Sequence, residues 1–352
     1  MSIYIRSAAS VSAQNTLGDN GFLTDPVSYN STRLPAIEPD YKKYIDPKLI
    51  RRMSHVIKMG VAAAQECLTN AQVEMPGGIV TGTAFGCLED TYTFLGRIIE
   101  MEEEMLPPTA FIQSTHNTVG AQVALMLKCH AYNNTFVHKG VSFENALLDG
   151  MLLLKEGDAD NVLVGGIDEM TDASFTVLTR LGLYKRQPIT SIELYNSASA
   201  GTIGGEGASF VLLTDKTSPE NMAELKGLKT VFKPASPISE IIAAFLANEG
   251  LKPADIDVVL TGANGDTRND ATYGFVSEMF SGSTVANYKH LCGEYPTSSA
   301  FGLWMAANVV KEGGVPEVAI QKASKTNGKA KKVLFYNHYQ NVYHSLMLLS
   351  AC

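Results

Sequence analysis

The chain has 352 residues, of which 45% are hydrophobic and 18% charged, and it carries a net charge of −8. This length and low charge supply a large core and exclude disorder over most of the chain, and the acidic balance excludes an overall nucleic-acid-binding surface. No apolar run reaches the roughly 18 residues of a membrane span, the opening MSIYIRSAASVSAQNT lacks a secretory apolar stretch, and the five cysteines contain no C-x-x-C pair. The expectation is a cytoplasmic α/β protein with no metal site, no cofactor, and neither membrane nor nucleic acid among its partners.

Residues 1–45 are polar with little periodicity and read as an extended, loop-rich lead-in. From Asp46 the pattern turns helical. Pro47 suits a first turn, and Leu49, Met53, Ile57 and Val61 recur every four residues. The run GGIVTGTAFG (77–86) reads as a buried strand that ends in a small-residue loop. Helices are expected over 88–105 and 120–129, the first stopped by Pro107-Pro108. A strand over 134–138, a helix over 142–156 and a strand over 161–165 follow. In the second half the pattern gives helix 238–248, strand 257–265, helix 271–280, strand 284–287, helix 298–311 and strand 333–338. IVTGTAFG and VLTGANG both break at Thr-Gly after a helix. That repetition points to a duplicated α/β unit, divided near the polar stretch 215–235.

Nucleotide signatures fail. There is no G-x-x-x-x-G-K-[ST], and Gly201, Gly204, Gly205 and Gly207 have the wrong spacing for G-x-G-x-x-G. The seven histidines show no ligand pairing. Gly140-Val-Ser142-Phe-Glu144 half-matches the G-x-S-x-G elbow but has Glu at the last position, and Ser142 also reads as a helix N-cap. A helix starting here offers free N–H groups and a positive dipole end to a thiolate or oxyanion.

GDADNVLVGGIDE (157–169), GTIGGEGASFVLL (201–213), RRMSHVIKMGVAAAQECL (51–68) and the TGTAFG loop resemble the β-ketoacyl-acyl carrier protein synthases of the thiolase fold. The resemblance covers most of the chain. It implies a duplicated five-layer αβαβα architecture, with halves at 1–220 and 221–352.

It also implies where the chemistry should sit. The family's nucleophilic Cys falls at Gly140, its first His at Asn264 and its second His at Glu294, with the preceding Lys at Lys289. The family's Gly-Phe-Gly-Gly loop, which supplies an oxyanion N–H and a gating Phe, is replaced by His338-Tyr339-Gln340-Asn341. The chain therefore looks like the chain-length factors, ketosynthase-like subunits that lost the nucleophile. It is most similar to those of aryl polyene and flexirubin-type synthases. The partners implied are an active ketosynthase in a heterodimer, or a second copy in a homodimer, and an acyl carrier protein.

The family pairs subunits through the strand before the nucleophile turn. This places Phe136 and His138 at the contact, with Gln113, His116 and Asn117 in a mostly buried tunnel or interface stretch. Five lysines, at 322, 325, 329, 331 and 332, form a candidate carrier-docking patch. The alternative is an active synthase or acyltransferase with a rearranged nucleophile at Ser142, Cys87 or Cys292. A hydrolase built on the half-elbow lacks an ordered Ser, acid, His set.

Overall fold

The computed structural model describes residues 2–18, 22–324 and 328–352. Lys325 of the lysine run lies outside the described residues. Eleven strands form one hydrogen-bonded ribbon among them: β1 (Tyr4–Val11), β2 (Gly78–Gly82), β3 (Tyr132–Phe136), β4 (Asn161–Asp168), β5 (Gly207–Thr214), β6 (Ala223–Phe232), β7 (Val258–Thr261), β8 (Thr284–Asn287), β9 (Ile320–Lys322), β10 (Lys332–Tyr339) and β11 (Tyr343–Ser350). Their spatial order is β9-β8-β7-β10-β11-β6-β1-β5-β4-β2-β3.

The ribbon is two leaves joined at a hinge. β1 and β6 meet antiparallel at Tyr4–Glu224 and Ile5–Ala223. Outward from β1 come β5 and β4 antiparallel, then β2 and β3 parallel. Outward from β6 come β11 and β10 antiparallel, then β7 and β8 parallel. The same order and the same directions occur twice, which is the signature of a repeated unit.

Helices α1 (His55–Ala71), α2 (Leu88–Glu100), α3 (Pro108–Gln113), α4 (Thr118–Leu127), α5 (Ser142–Glu156) and α6 (Asp172–Arg180) belong to the first leaf. Helices α7 (Ile238–Asn248), α8 (Ala271–Met279), α9 (Lys289–Cys292) and α10 (Ser299–Glu312) belong to the second. α5 and α10 lie between the leaves, in a core where Phe143, Val164 and Leu213 join Phe301, Phe335 and Met347. α1 covers the outside of the first leaf through Ile57 and Val61 against Leu163 and Phe210. α7 and α8 cover the second through Ile242, Leu246 and Val276 against Val259 and Leu334. The result is the five-layer thiolase-like arrangement. No helix among the described residues is long and apolar enough to cross a membrane.

Several elements depart from the sequence pattern. The lead-in contains β1, whose alternating burial places Ile5, Ser7 and Ala9 in the interior. The expected helix from Asp46 is broken: Pro47–Ile50 forms one turn, and α1 starts again after Ser54. Two consecutive arginines, Arg51 and Arg52, occupy the exposed break. The strand expected at 134–138 is β3, two residues earlier. His138 leaves the extended region because its N–H donates to the Ser142 hydroxyl at 2.7 Å, starting the turn into α5. The polar stretch at 215–235 contains β6, a partly exposed strand.

Candidate functional site

The first-leaf part of the site is the turn from β3 into α5. Lys139 adopts φ +49°, and Gly140 is buried in a single 3-10 turn. Gly82, at the end of β2, lies against this turn: a Cβ there would be 2.5 Å from the Ser142 carbonyl carbon and oxygen. Ser142 is fully buried. Its hydroxyl donates to the Lys139 carbonyl at 2.8 Å and accepts from His138 N–H, so it ties the turn and faces no base.

The second-leaf part is a buried polar knot. Lys289 Nζ donates to Glu294 Oε2 at 2.6 Å, and Asn264 Nδ2 donates to the same oxygen at 2.7 Å. All three residues are buried. Asn264 is held in turn: its Oδ1 accepts from Asp266 N–H, and its own N–H donates to Asp270. Both donors are thus committed to one carboxylate oxygen.

The β10–β11 hairpin closes the site. Gln340 and Asn341 both take φ +54°, a left-handed conformation that costs a side-chain-bearing residue roughly 1–2 kcal/mol. His338 stacks on Tyr273 with ring centres 4.4 Å apart. Burial, helped by the Lys289 charge, pushes His338 down to about 3, so it is neutral near pH 7. Tyr339 and Gln340 line a small cavity of about 30 Å³ with Phe85, Tyr184, Asn264 and Glu294. That space holds about two waters. Arg268 fastens the neighbouring loop, donating to Asp266 and to the Gly182 carbonyl. Burial would raise Asp266, but Arg268 outweighs it and holds that carboxyl below its usual range.

The structure therefore brings Gly140, Asn264, Glu294, Lys289, Tyr339 and Gln340 to one region and leaves others apart. Cys87 and Cys292 are both buried, and burial pushes both thiols up, so neither is a ready thiolate. Gln113, His116 and Asn117 were expected in a mostly buried stretch. In this chain Gln113 is half-buried and the other two are exposed, because α3 and its following loop sit on the outside of the first leaf. Phe136 is half-buried and His138 exposed at the sheet edge.

Two buried acidic residues with tertiary roles escaped the sequence reading. Asp168 lay in a recognised motif, but its role is tertiary. Its Oδ1 accepts from Thr83 Oγ1 and from the Ala84 and Phe85 N–H groups, and its Oδ2 accepts from Thr297. One carboxylate thus ties the TGTAFG loop to the second half. Glu144, which in the sequence only breaks the elbow motif, is fully buried beside Ser299 and Ser345, and burial pushes it up to about 6.

The model of the β-ketoacyl synthase N-terminal domain matches residues 31–218, more than half of the chain. The chain belongs to the β-ketoacyl synthase family. No curated protein matches the sequence. Among solved structures, the ishigamide ketosynthase/chain length factor is similar over 100% of this chain and 99% of its own, at 15% identity and TM-score 0.81. A β-ketoacyl synthase from Burkholderia phymatum gives the same coverage and identity with TM-score 0.77. The ketosynthase ApeO in complex with its chain length factor ApeC, from Xenorhabdus doucetiae, gives 15% identity and TM-score 0.74 over 100% of this chain and 98% of that one.

Proposed function

We propose that this chain is a ketosynthase-like subunit that does not condense acyl groups itself. It pairs as a chain-length factor with an active β-ketoacyl-acyl carrier protein synthase, in synthesis of the polyketide, aryl polyene or fatty-acid type. The carrying observation is Gly140 at the mouth of α5, packed against Tyr339, with a Glu294 carboxylate across the same small cavity already bonded to Lys289 and Asn264. Condensation needs a nucleophile to hold the acyl group and donors for the enolate oxygen. Gly140 has no side chain, and the available donors are committed to a carboxylate. No geometry favours the rearranged alternative, since Ser142 has no base and the two buried cysteines are held as thiols.

The surface supports pairing. α2 and α3 pack on each other, with Phe94 and Phe111 ring centres 5.4 Å apart, yet neither helix has a buried residue. Ile99 is 80% exposed, and Leu95, Phe111 and Ile112 are all more than half exposed. One edge of β3 carries no partner strand among the described residues. Unpaired apolar faces and sheet edges of this kind mark protein interfaces. Gln113, His116, Asn117, Phe136 and His138 belong to this run of surface elements and are assigned to the contact with the partner. The solved structures with which the fold agrees include a ketosynthase with its chain length factor and a type II polyketide acyl carrier protein in complex with its ketosynthase. We also assign the halves to 1–220 and 221–352 and the protein to the cytoplasm. The test is release of CO₂ from malonyl-acyl carrier protein by the purified chain alone, expected to be nil.

A further inference from the structure

Gly140 and Tyr339 compete for one volume. A Cβ on residue 140 would lie 2.3 Å from Tyr339 Cβ, 2.5 Å from its Cγ and 2.8 Å from its Cδ1. These atoms are the stem and near edge of the tyrosine, not a mobile end. Tyr339 is the last residue of β10 and pairs with Tyr343 across the hairpin, so its Cβ cannot retreat unless the hairpin moves. The same side chain lines the small cavity beside Asn264 and Glu294.

We propose that Tyr339 is a built-in plug of this subunit's acyl channel, occupying the place of both a nucleophilic side chain and the acyl group it would carry. No acyl chain enters this subunit's own site. Any influence on a partner's product length is exerted from the outer face of α2, α3 and β3. The inference rests on reading Gly140 as the emptied nucleophile position of an inert partner subunit.

The test uses the full chain as wild type, Gly140→Cys, Tyr339→Gly and the double variant. Iodoacetamide with intact-mass analysis reports thiol access: the thiolate displaces iodide, one S–C bond forms, and the thiol proton goes to buffer. Cys352 is the exposed cysteine and sets a background of one adduct. The double variant should gain a second adduct, on the peptide carrying position 140, at least about tenfold faster than Gly140→Cys, because a thiol at a helix N-terminus ionises readily once accessible. A fluorescent long-chain fatty acid should bind Tyr339→Gly saturably and leave wild type unbound. The plug is overturned if Gly140→Cys alone reacts as fast as the double variant. It is also overturned if wild type binds the fatty acid as well as Tyr339→Gly does. If Gly140→Cys does not fold, the fatty-acid comparison decides. Decarboxylation of malonyl-acyl carrier protein by wild type would instead remove the inert-subunit reading, a separate failure from that of the plug.

Discussion

Replacing Glu144 by glutamine should abolish a pH-dependent part of the chain's stability. The carboxylate is fully buried, and neither oxygen makes a well-formed hydrogen bond among the described residues. Burial pushes it from the usual 4.5 up to about 6, against the opposing pull of Ser299, Ser345 and the Lys289 charge. A raised value in the folded state means that the native protein holds the proton more tightly than the unfolded chain does. The stabilisation is therefore complete below pH 4.5 and is lost as the pH rises through about 6. At about 1.4 kcal/mol per pH unit, that interval is worth about 2 kcal/mol. Urea unfolding of wild type and Glu144→Gln at several pH values reads it directly. Glu169, pushed up to about 7 mainly by burial, titrates in the same direction but cancels in the difference between the two proteins. From below pH 4.5 to well above pH 6, wild type should lose about 2 kcal/mol relative to the variant. Parallel curves would refute the reasoning, since they would mean that Glu144 is as solvated when folded as when unfolded.

Lys289→Met should cost about 3–5 kcal/mol in urea unfolding because it strands a buried Glu294 charge, and adding Glu294→Leu should recover most of the loss. Gly140→Ala should destabilise by about 1–3 kcal/mol through overpacking against Tyr339, with Tyr339→Gly in the same chain relieving it in a double-mutant cycle. Ile99→Glu with Ile112→Glu should shift sedimentation towards monomer while leaving the circular-dichroism spectrum of the folded chain unchanged, since both side chains are exposed within the single chain.

Local chemistry made part of this molecule legible. Helix α5 is bounded by its Gly157 cap, and β8 by its short apolar run, so both coincide with their sequence ranges. β1 stayed hidden because its buried positions include Ser7 and Ala9, small residues that resemble a loop until β5 and α1 cover them. β6 was masked by Lys226 and Lys229, which sit on a partly exposed strand. At the site, Gly140, Asn264 and Glu294 are the positions on which the family resemblance places its Cys and two His. The contacts that join these residues could not be read from the sequence. The Lys289–Glu294–Asn264 knot closes between two loops, and Tyr339 reaches Gly140 from the opposite half of the chain. Glu144 illustrates the same limit: an acidic residue in a first helical turn is ordinarily solvated, and here it is buried beside Ser299 and Ser345 of the second leaf.

The central claim is that this chain contributes a surface to a ketosynthase and no active site of its own. The most direct measurement is CO₂ release from malonyl-acyl carrier protein, together with chain extension, by three samples: this chain alone, a co-encoded ketosynthase with an intact Cys-His-His set alone, and the two copurified. The account predicts no release by this chain alone, and a stable complex that extends the acyl chain to a length the ketosynthase alone does not reach. Decarboxylation or condensation by this chain alone, or the absence of any complex at micromolar concentration, would contradict it.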